Sequence, residues 1–537
     1  MLRCILFVLI GSILFWNIQN ILTPNWNDAD DCERRIHGID YLRDTDLDVI
    51  FLGASHVYRG VSPMELYEKY GILSYNLATP AQPVAGSWVL LKKMYEEYNP
   101  ETVVLDVSSL FYQPGSSMWR YILDNMEFSL LKYQFAKEYA QELFPDETND
   151  GLLSIMFPII RYHSLWTTIK RDNFRPTGGE YYTHGQLLSN ECSPSPYSIE
   201  DIIYETEQLE KYDSGKILEF TGNKTMGTVI SKSVYDTSVN ERALVYLQKI
   251  KMLCEEHGSR LLLIKIPTMK IPQWYPTTWT QIKSAEMSVI AEELDLPFLD
   301  LMFGGESIVS FETDTMDTGT HLNMFGAKKI SDYLGAHLLE NHYAKRKNSP
   351  TYEKSLEKYK KVYSVMELQS VDDFHEYIDR LKERKENCTI IIAGADDYVS
   401  GMTETDYDLL RELGLNLIER GESRDSYVGV ISGGEVLYEA VSDYEITYQA
   451  QLPGAEMEIS SKNGWMTDPR SSIKVNQHEY AVSHIGLDIV IYDHETQKVI
   501  DSVLFNTFDP MKYCIRNWDL ELLLSNAYIS ELCYDGW

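Results

Sequence analysis

The N-terminus carries an almost unbroken apolar run. Cys4 to Phe15 reads CILFVLIGSILF without a charge, and apolar positions continue at Ile18, Ile21 and Leu22. About 19 such residues just suffice to cross a hydrocarbon core, so residues 1–25 read as a transmembrane anchor. Arg3 before the run, with Asp28, Asp30 and Asp31 after it, puts the N-terminus in the cytoplasm and the rest of the chain outside it. A cleaved signal peptide is the alternative, although no A-x-A-like site follows the run. A buried helix is the third reading.

Beyond the run the period changes. Leu47–Leu52 is a short buried strand that passes through Gly53-Ala-Ser-His56. Ser62-Pro-Met-Glu65 then predicts a helix start, with Ser62 as N-cap, Pro63 at N1 and Glu65 at N3. Ser74–Ala78 predicts a strand, Trp88–Tyr98 an amphipathic helix and Thr102–Asp106 another buried strand. The succession is that of a parallel sheet with crossover helices, an α/β fold. An insertion at about 115–240 follows, including the Gly/Tyr-rich stretch Thr177–His184. The pattern resumes with a helix at Arg242–His257, a strand at Arg260–Ile266, a helix at Trp279–Leu294 and a strand at Leu296–Asp300. A last helix is expected to begin at His321 and run to about Tyr343.

Residues 346–365 are polar and read as a linker. The second unit, 366–537, has helices at Asp372–Arg384 and Glu404–Leu413 and strands at Thr389–Ala393 and Tyr427–Ile431. From Ala440 it alternates in β fashion, with a hairpin of Leu487–Tyr492 and Lys498–Leu504. It reads as a β-rich α+β accessory domain.

Composition removes several functions. Among 537 residues, 48 Lys+Arg against 81 Asp+Glu leave a net charge of −33. That argues against nucleic acid, which needs a basic footprint, and against broad adhesion to anionic lipid. The seven cysteines contain no C-x-x-C pair, so a zinc site is not expected. Cys514–Cys533 is the cheapest bridge to form. No cofactor-binding motif stands out.

Two segments carry chemistry. Ser55, just beyond a parallel strand, sits where such sheets bind ligands, and its N–H can serve an oxyanion. Alone, it is equally a turn residue or a cap. Far downstream stands Asp317-Thr-Gly-Thr-His321-Leu-Asn323-Met-Phe-Gly326-Ala327. A histidine with a carboxylate four residues earlier supplies an oriented general base. His56, next to Ser55, reads as a structural or substrate-edge residue, and Asp106 at a strand end as a cap or, alternatively, a substrate contact. Trp274, Tyr275 and Trp279 pack, or stack on sugar faces.

These residues resemble the SGNH/GDSL hydrolase superfamily: Gly53-Ala-Ser55-His56 after a strand, and Asp317…His321-Leu-Asn-x-x-Gly-Ala near the last helix. The pattern is similar to membrane-anchored members linked to polysaccharide and teichoic-acid modification, including DltD-like and alginate-acetylation-type proteins. The resemblance covers about 45–345, within a domain placed at 40–345. It implies a flavodoxin-like three-layer α/β/α fold, Ser55 as nucleophile, His321 as general base and Asp317 as the residue orienting the imidazole. It also implies a cell-surface glycan or acylated small substrate and a membrane-bound acyltransferase partner. The family spaces its acid three residues before the histidine, where Thr318 stands here; Asp314 is the alternative acid. The usual Gly and Gly-x-Asn-Asp blocks are absent, leaving Gln82 or Asn76 as candidate oxyanion donors or substrate contacts. Two functions therefore stay open: an extracytoplasmic serine esterase or O-acyltransferase, or a catalytically weak binding or assembly factor for envelope polysaccharide.

In the second unit, Thr389–Asp397, Ser426–Gly434 and Ile485–Asp493 resemble an interleukin-like EMT-inducer domain with its segments in permuted order, which implies a binding module. Asp396, Asp397, Asp493 and Asp501 are oxygen donors of the type calcium takes, or solvated turns.

Overall fold

Val49–Gly53 (β1) forms the first strand because its five residues are apolar or small and all are buried, as in a central parallel strand. The computed structural model describes residues 2–24, 26, 31–111, 116–143, 148–169, 171–174, 181–193, 241–268, 279–302, 308–462 and 470–517. The chain divides into two compact units between Tyr359 and Lys360.

In the first unit the helices are α1 Leu2–Leu22, α2 Cys32–Gly38, α3 Ser55–Gly60, α4 Pro63–Tyr70, α5 Val84–Met94, α6 Ser116–Leu123, α7 Leu130–Leu143, α8 Thr148–Met156, α9 Ile159–Tyr162, α10 Glu241–His257, α11 Trp279–Glu293 and α12 Met324–Glu340. The strands after β1 are β2 Ser74–Ala78, β3 Thr102–Asp106, β4 Arg260–Lys265, β5 Phe298–Asp300 and the short pair β6 Thr315–Met316 and β7 His321–Leu322. Strands β1 to β5 make one parallel sheet in the order β2-β1-β3-β4-β5. The chain steps from β1 outward to β2, then back across to β3. Right-handed crossovers then place α4 and α5 on opposite faces. Accordingly α12 packs on α3 and α4, while α5 pairs with α10. Val49, Phe51, Val104, Leu262 and Ile264 meet Val57, Leu66, Ile330 and Leu334 in the core.

Local chemistry explains the boundaries. Ser62 caps α4 by accepting from the Glu65 N–H at 3.4 Å. The Glu65 carboxylate does not close a capping box; it takes the Tyr359 hydroxyl at 3.0 Å and the Lys328 ammonium at 3.2 Å. Helix α5 starts at Val84, four residues before the expected Trp88, because Pro83 ends the loop and Val84–Ser87 are all buried. Within the stretch read as an insertion, the described residues 116–143, 148–169 and 171–174 are mostly helical, while 144–147, 170, 175–180 and 194–240 lie outside the described residues. His184 O accepts the Asn76 N–H of edge strand β2 at 3.0 Å. The stretch read as linker carries a helix, α13 (Pro350–Gln369), and the unit boundary falls inside it. Its polar residues mark an exposed helix surface, with Tyr352 and Tyr359 buried.

Among the described residues one helix, Arg3–Leu22, is long and apolar enough to cross a membrane, a property a signal sequence shares.

The second unit holds α14 Phe374–Arg384, α15 Glu404–Leu413 and strands β8 Cys388–Ala395, β9 Ser426–Ser432, β10 Glu435–Ser442, β11 Ile446–Leu452, β12 Ala455–Ser461, β13 Ser471–Val475, β14 His478–Glu479, β15 Gly486–Asp493, β16 Lys498–Phe505 and β17 Cys514–Arg516. An antiparallel sheet runs β10-β9-β8-β15-β16-β17, and β11 to β14 form a second. The expected hairpin is β15–β16. Thr403 and Asp406 close a capping box on α15.

Asp488 on β15 is fully buried, and burial pushes its carboxyl up to about 7 against hydrogen bonds from Ser471 and the N–H groups of Val482 and Ser483. A carboxyl whose affinity for protons rises on folding stabilises the fold fully below the ordinary aspartate range. That contribution is lost as pH rises through about 7. It amounts to a few kcal/mol at roughly 1.4 kcal/mol per tenfold change in proton affinity. Thermal melts of the full chain check this. The wild-type Tm, relative to that of Asp488→Asn, should fall between about pH 4 and about pH 8; a constant difference would count against it.

Candidate active site

Ser55 opens α3, two residues beyond the end of β1. The sheet order puts its switch point between β1 and β3, so Ser55 and Asp106 share the carboxyl edge where open α/β sheets bind ligands. Gly53 makes the exit from β1 feasible. A Cβ there would stand 2.5 Å from Val57 Cγ2 and 3.0 Å from Asp106 Cβ.

The other half of the site is a hairpin. Strands β6 and β7 pair antiparallel with Met316 opposite His321. Its tip passes through three left-handed residues, Asp317, Thr318 and Gly319, with φ of 43°, 57° and 86°. A β-branched residue such as Thr318 in that region costs about 1–3 kcal/mol. The Thr318 N–H donates to Ser193 Oγ at 3.2 Å and helps hold the turn. The four-residue spacing from Asp317 to His321 is accommodated in this tip. Asp317 Oδ1 accepts the His321 backbone N–H at 3.1 Å, and Oδ2 lies 2.7 Å from the ring Nδ1. The other ring nitrogen, Nε2, lies 2.7 Å from Ser55 Oγ. Ser55, His321 and Asp317 thus form one continuous hydrogen-bonded chain.

His321 lies on β7, not at the start of the last helix as expected. The helix begins at Met324 because Asn323 is its cap, accepting from the Phe325 and Gly326 N–H groups at 3.1 Å each. The same side chain donates to Thr313 O at 2.8 Å and Glu191 O at 3.2 Å. A Cβ on Gly326 would lie 2.4 Å from Asp314 O. The His-Leu-Asn-x-x-Gly-Ala run therefore has a mechanical meaning: a ring, a cap that ties loop to helix, and a close backbone crossing. Asp314 takes the Ser310 N–H at 2.7 Å and Lys329 Nζ at 2.6 Å. It anchors the loop, and the carboxylate on the His321 ring is that of Asp317.

Burial raises the Asp317 carboxyl. The hydrogen bond and charge of His321, its backbone N–H and the charge of Arg59 outweigh burial and hold it below the usual aspartate range. Arg59 stands on α3, four residues after Ser55, with Nη1 3.3 Å from Met316 Sδ. Sequence reasoning missed this cation, although the four-residue spacing on one helix was the available signal.

The remaining candidates are placed differently. Asn76 is fully buried, and Nδ2 donates to Val61 O at 2.8 Å and Val57 O at 3.5 Å. Gln82 is equally buried, with Nε2 donating to Ser87 Oγ at 2.9 Å and Leu77 O at 3.4 Å. Both amides spend their N–H groups inside the protein. The Val57 N–H of α3 is taken by Ala54 O at 3.0 Å, and the Ser55 N–H at the helix start is a candidate oxyanion donor. His56 is buried, its ring centroid 5.2 Å from that of His321. It therefore packs beside the His321 ring. Beneath the site, burial pushes Asp106 up to about 6 and Lys265 down to about 8. Asp106 Oδ1 takes the Ile266 N–H at 3.3 Å, fastening β3 to the end of β4. A charge closing each apolar strand, TVVLD and RLLLIK, was the signal for this pair.

Trp274, Tyr275 and Cys533 lie outside the described residues, and Trp279 begins α11. Among the described residues no group of three or more His, Cys, Asp or Glu is placed to hold a metal. Asp397 caps its own turn through the N–H groups of Val399 and Ser400. Asp493 takes the Thr496 N–H, and Asp501 pairs with Arg516. Asp396 lies 3.7 Å from Arg424.

No family model matches the chain, and no curated protein does. Among solved structures it is similar to a Bacteroides fragilis protein whose crystal structure bears the provisional name acylhydrolase. The two share 10% identity over 56% of this chain and 95% of that one, with a TM-score of 0.27.

Proposed function

We propose that the first unit is a serine esterase or O-acyltransferase of SGNH type, held outside the cytoplasm by its N-terminal helix and acting on acyl esters, acetyl in the simplest case, of cell-surface polysaccharide. The observation that carries this reading is the hydrogen-bonded chain Ser55–His321–Asp317, with 2.7 Å on each side of the imidazole. Asp317 receives Nδ1–H, which leaves Nε2 free to take a proton. Ser55 Oγ attacks the ester carbonyl as its proton passes to Nε2. The Ser55 N–H meets the developing oxyanion. The tetrahedral intermediate collapses, the alcohol leaves with the proton from Nε2, and an acyl-serine remains. Water or a sugar hydroxyl then gives its proton to Nε2 and attacks, releasing acid or a transferred ester and restoring Ser55. A net charge of −33 repels anionic polymers and favours a neutral glycan. A membrane-bound acyltransferase is a fitting source of acyl groups.

The test is covalent labelling of the full-length protein with a fluorophosphonate. Labelling is expected in the wild type and absent in Ser55→Ala. One observation favours the second reading, a weak binding or assembly factor: the Asn76 and Gln82 amides are both committed to internal acceptors. No labelling of a folded wild type, with glycan binding that survives Ser55→Ala, would establish that reading instead. The second unit is then a binding module appended to either function.

A further inference from the structure

The first helix is packed where a simple anchor would be bare. Phe15 meets Phe157 with ring centroids 6.1 Å apart, and Trp16 meets Phe128 at 5.5 Å. Phe128 and Phe157 join each other at 5.7 Å. Asn173 Nδ2 donates to Ile21 O at 3.2 Å. Phe128, Phe157 and Asn173, from the mostly helical stretches 116–143, 148–169 and 171–174, therefore grip the last two turns of α1.

This contact sets a depth. Trp16 lies six residues before Leu22, the last residue of α1, which is about 9 Å at 1.5 Å per residue. A span needs about 20 residues to cross the hydrocarbon core, and Arg3–Leu22 supplies no more than that. If the bilayer ended below the segment, the part of α1 before Phe15 would cover only about 20 Å. The helix crosses only if the segment itself enters the membrane surface.

The segment's exposed residues suit that position. Leu130 is 70% exposed, Trp166 67% and Phe174 64%; Phe128, Ile160 and Ile169 are also exposed. Ile160 on α9, Trp166 on the 3-10 turn His163–Thr168 and Phe174 on the turn Arg171–Phe174 belong to elements that touch α1. Exposed apolar patches of this kind mark an interaction site. Aromatic rings favour the water–lipid boundary, and interfacial helices sink about 5–10 Å into it, which matches the depth set by Trp16.

We propose that the described stretches of this segment, 116–143, 148–169 and 171–174, are a second membrane contact: an aromatic foot, built around Phe128, Trp166 and Phe174, that dips into the leaflet beside α1. Its occupant is the lipid of the bilayer that α1 crosses. The proposal rests on the anchor reading of α1, and its test separates the two.

Full-length protein is reconstituted into phosphatidylcholine vesicles whose acyl chains are brominated near the headgroup, and tryptophan emission is compared with that in unbrominated vesicles. Wild type should be quenched. Trp16→Phe and Trp166→Phe should each remove a distinct share of that quenching, and Trp166 emission should resist aqueous iodide. Quenching that falls with Trp16→Phe but not with Trp166→Phe would overturn the foot and leave the anchor standing. Quenching unchanged by either variant, in protein that does not float with the vesicles, would overturn the anchor and the foot together. Trp166 exposed to iodide, as when the patch waits for a protein partner, would also overturn the proposal. Circular dichroism melts confirm that the variants are folded.

Discussion

Replacing His321 by alanine is expected to lower turnover of a small aryl acetate by about 10⁴-fold or more, the range seen when a triad base is removed. The geometry explains the size. The serine hydroxyl is not nucleophilic at neutral pH, and Nε2 at 2.7 Å is the group placed to take its proton. The loss should fall on kcat, with KM little changed, because the ring acts only as the proton moves. Asp317→Asn should cost less, about 10²–10⁴-fold. Its side chain is 44% exposed, so water can partly replace it, whereas a buried acid has no substitute. The pH dependence follows from the sign of the shift. His321 and Arg59 hold the Asp317 carboxyl below its usual range, so it is ionised above that range and loses its charge only as pH falls beneath it. On the plateau of the wild-type pH–rate profile the Asp317→Asn defect should therefore not change with pH. A defect that varied along that plateau would mean that Asp317 titrates inside the working range and is not the orienting anion. Steady-state kinetics on wild type and both variants checks all three statements.

Much of this was visible in the pattern of residues. Each parallel strand is a short apolar run ended by a small or charged residue, so β2 and β3 fall on Ser74–Ala78 and Thr102–Asp106 as expected. Ser62-Pro63 and Thr403…Asp406 mark helix starts through hydrogen bonds a sequence can announce. The serine and the histidine pair stood out as chemistry-bearing residues, but their meeting across 266 positions is a product of the fold alone. Three things were not legible. The tip Asp317–Gly319 tolerates a four-residue spacing only because three residues in succession adopt positive φ, one of them a threonine. The Asn76 amide is claimed by carbonyls at the end of α3 that packing brings against β2, and the Gln82 amide by Leu77 O and Ser87 Oγ through a loop conformation that the residue spacing does not reveal. Polar residues at 350–365 suggested linker because an exposed helix face and a linker share composition.

Replacing Gly326 by alanine is expected to disable the site without touching any reacting atom. Glycine is ordinarily a poor choice inside a helix such as α12, where alanine gains about 1 kcal/mol. Here an added Cβ would stand 2.4 Å from Asp314 O, 3.1 Å from Asp314 Cβ and 3.2 Å from Leu322 Cβ. The first contact is backbone, which cannot swing aside as a side-chain end would. The helix and the Asp314–His321 loop must separate by several tenths of an ångström. That movement pulls on the Asn323 bonds to Thr313 O and Glu191 O. It also shifts β7, which carries His321, relative to α3, which carries Ser55. Overpacking of this kind costs about 1–3 kcal/mol, and a displacement near 1 Å between reacting groups can cost about 100-fold in rate. Gly326→Ala should thus lower the Tm of the full chain and slow both aryl acetate turnover and fluorophosphonate labelling by about two orders of magnitude. Serine at 326 should do the same, since it adds the same Cβ. Alanine at Gly258 supplies the comparison: a Cβ there meets nothing within 4 Å, although its φ of +72° carries backbone strain. That variant should lose some stability while labelling at the wild-type rate, which separates loss of fold from loss of alignment. Equal labelling rates for Gly326→Ala and wild type would show that the loop and helix are not held at the distance on which the 2.7 Å contact between Ser55 and His321 depends.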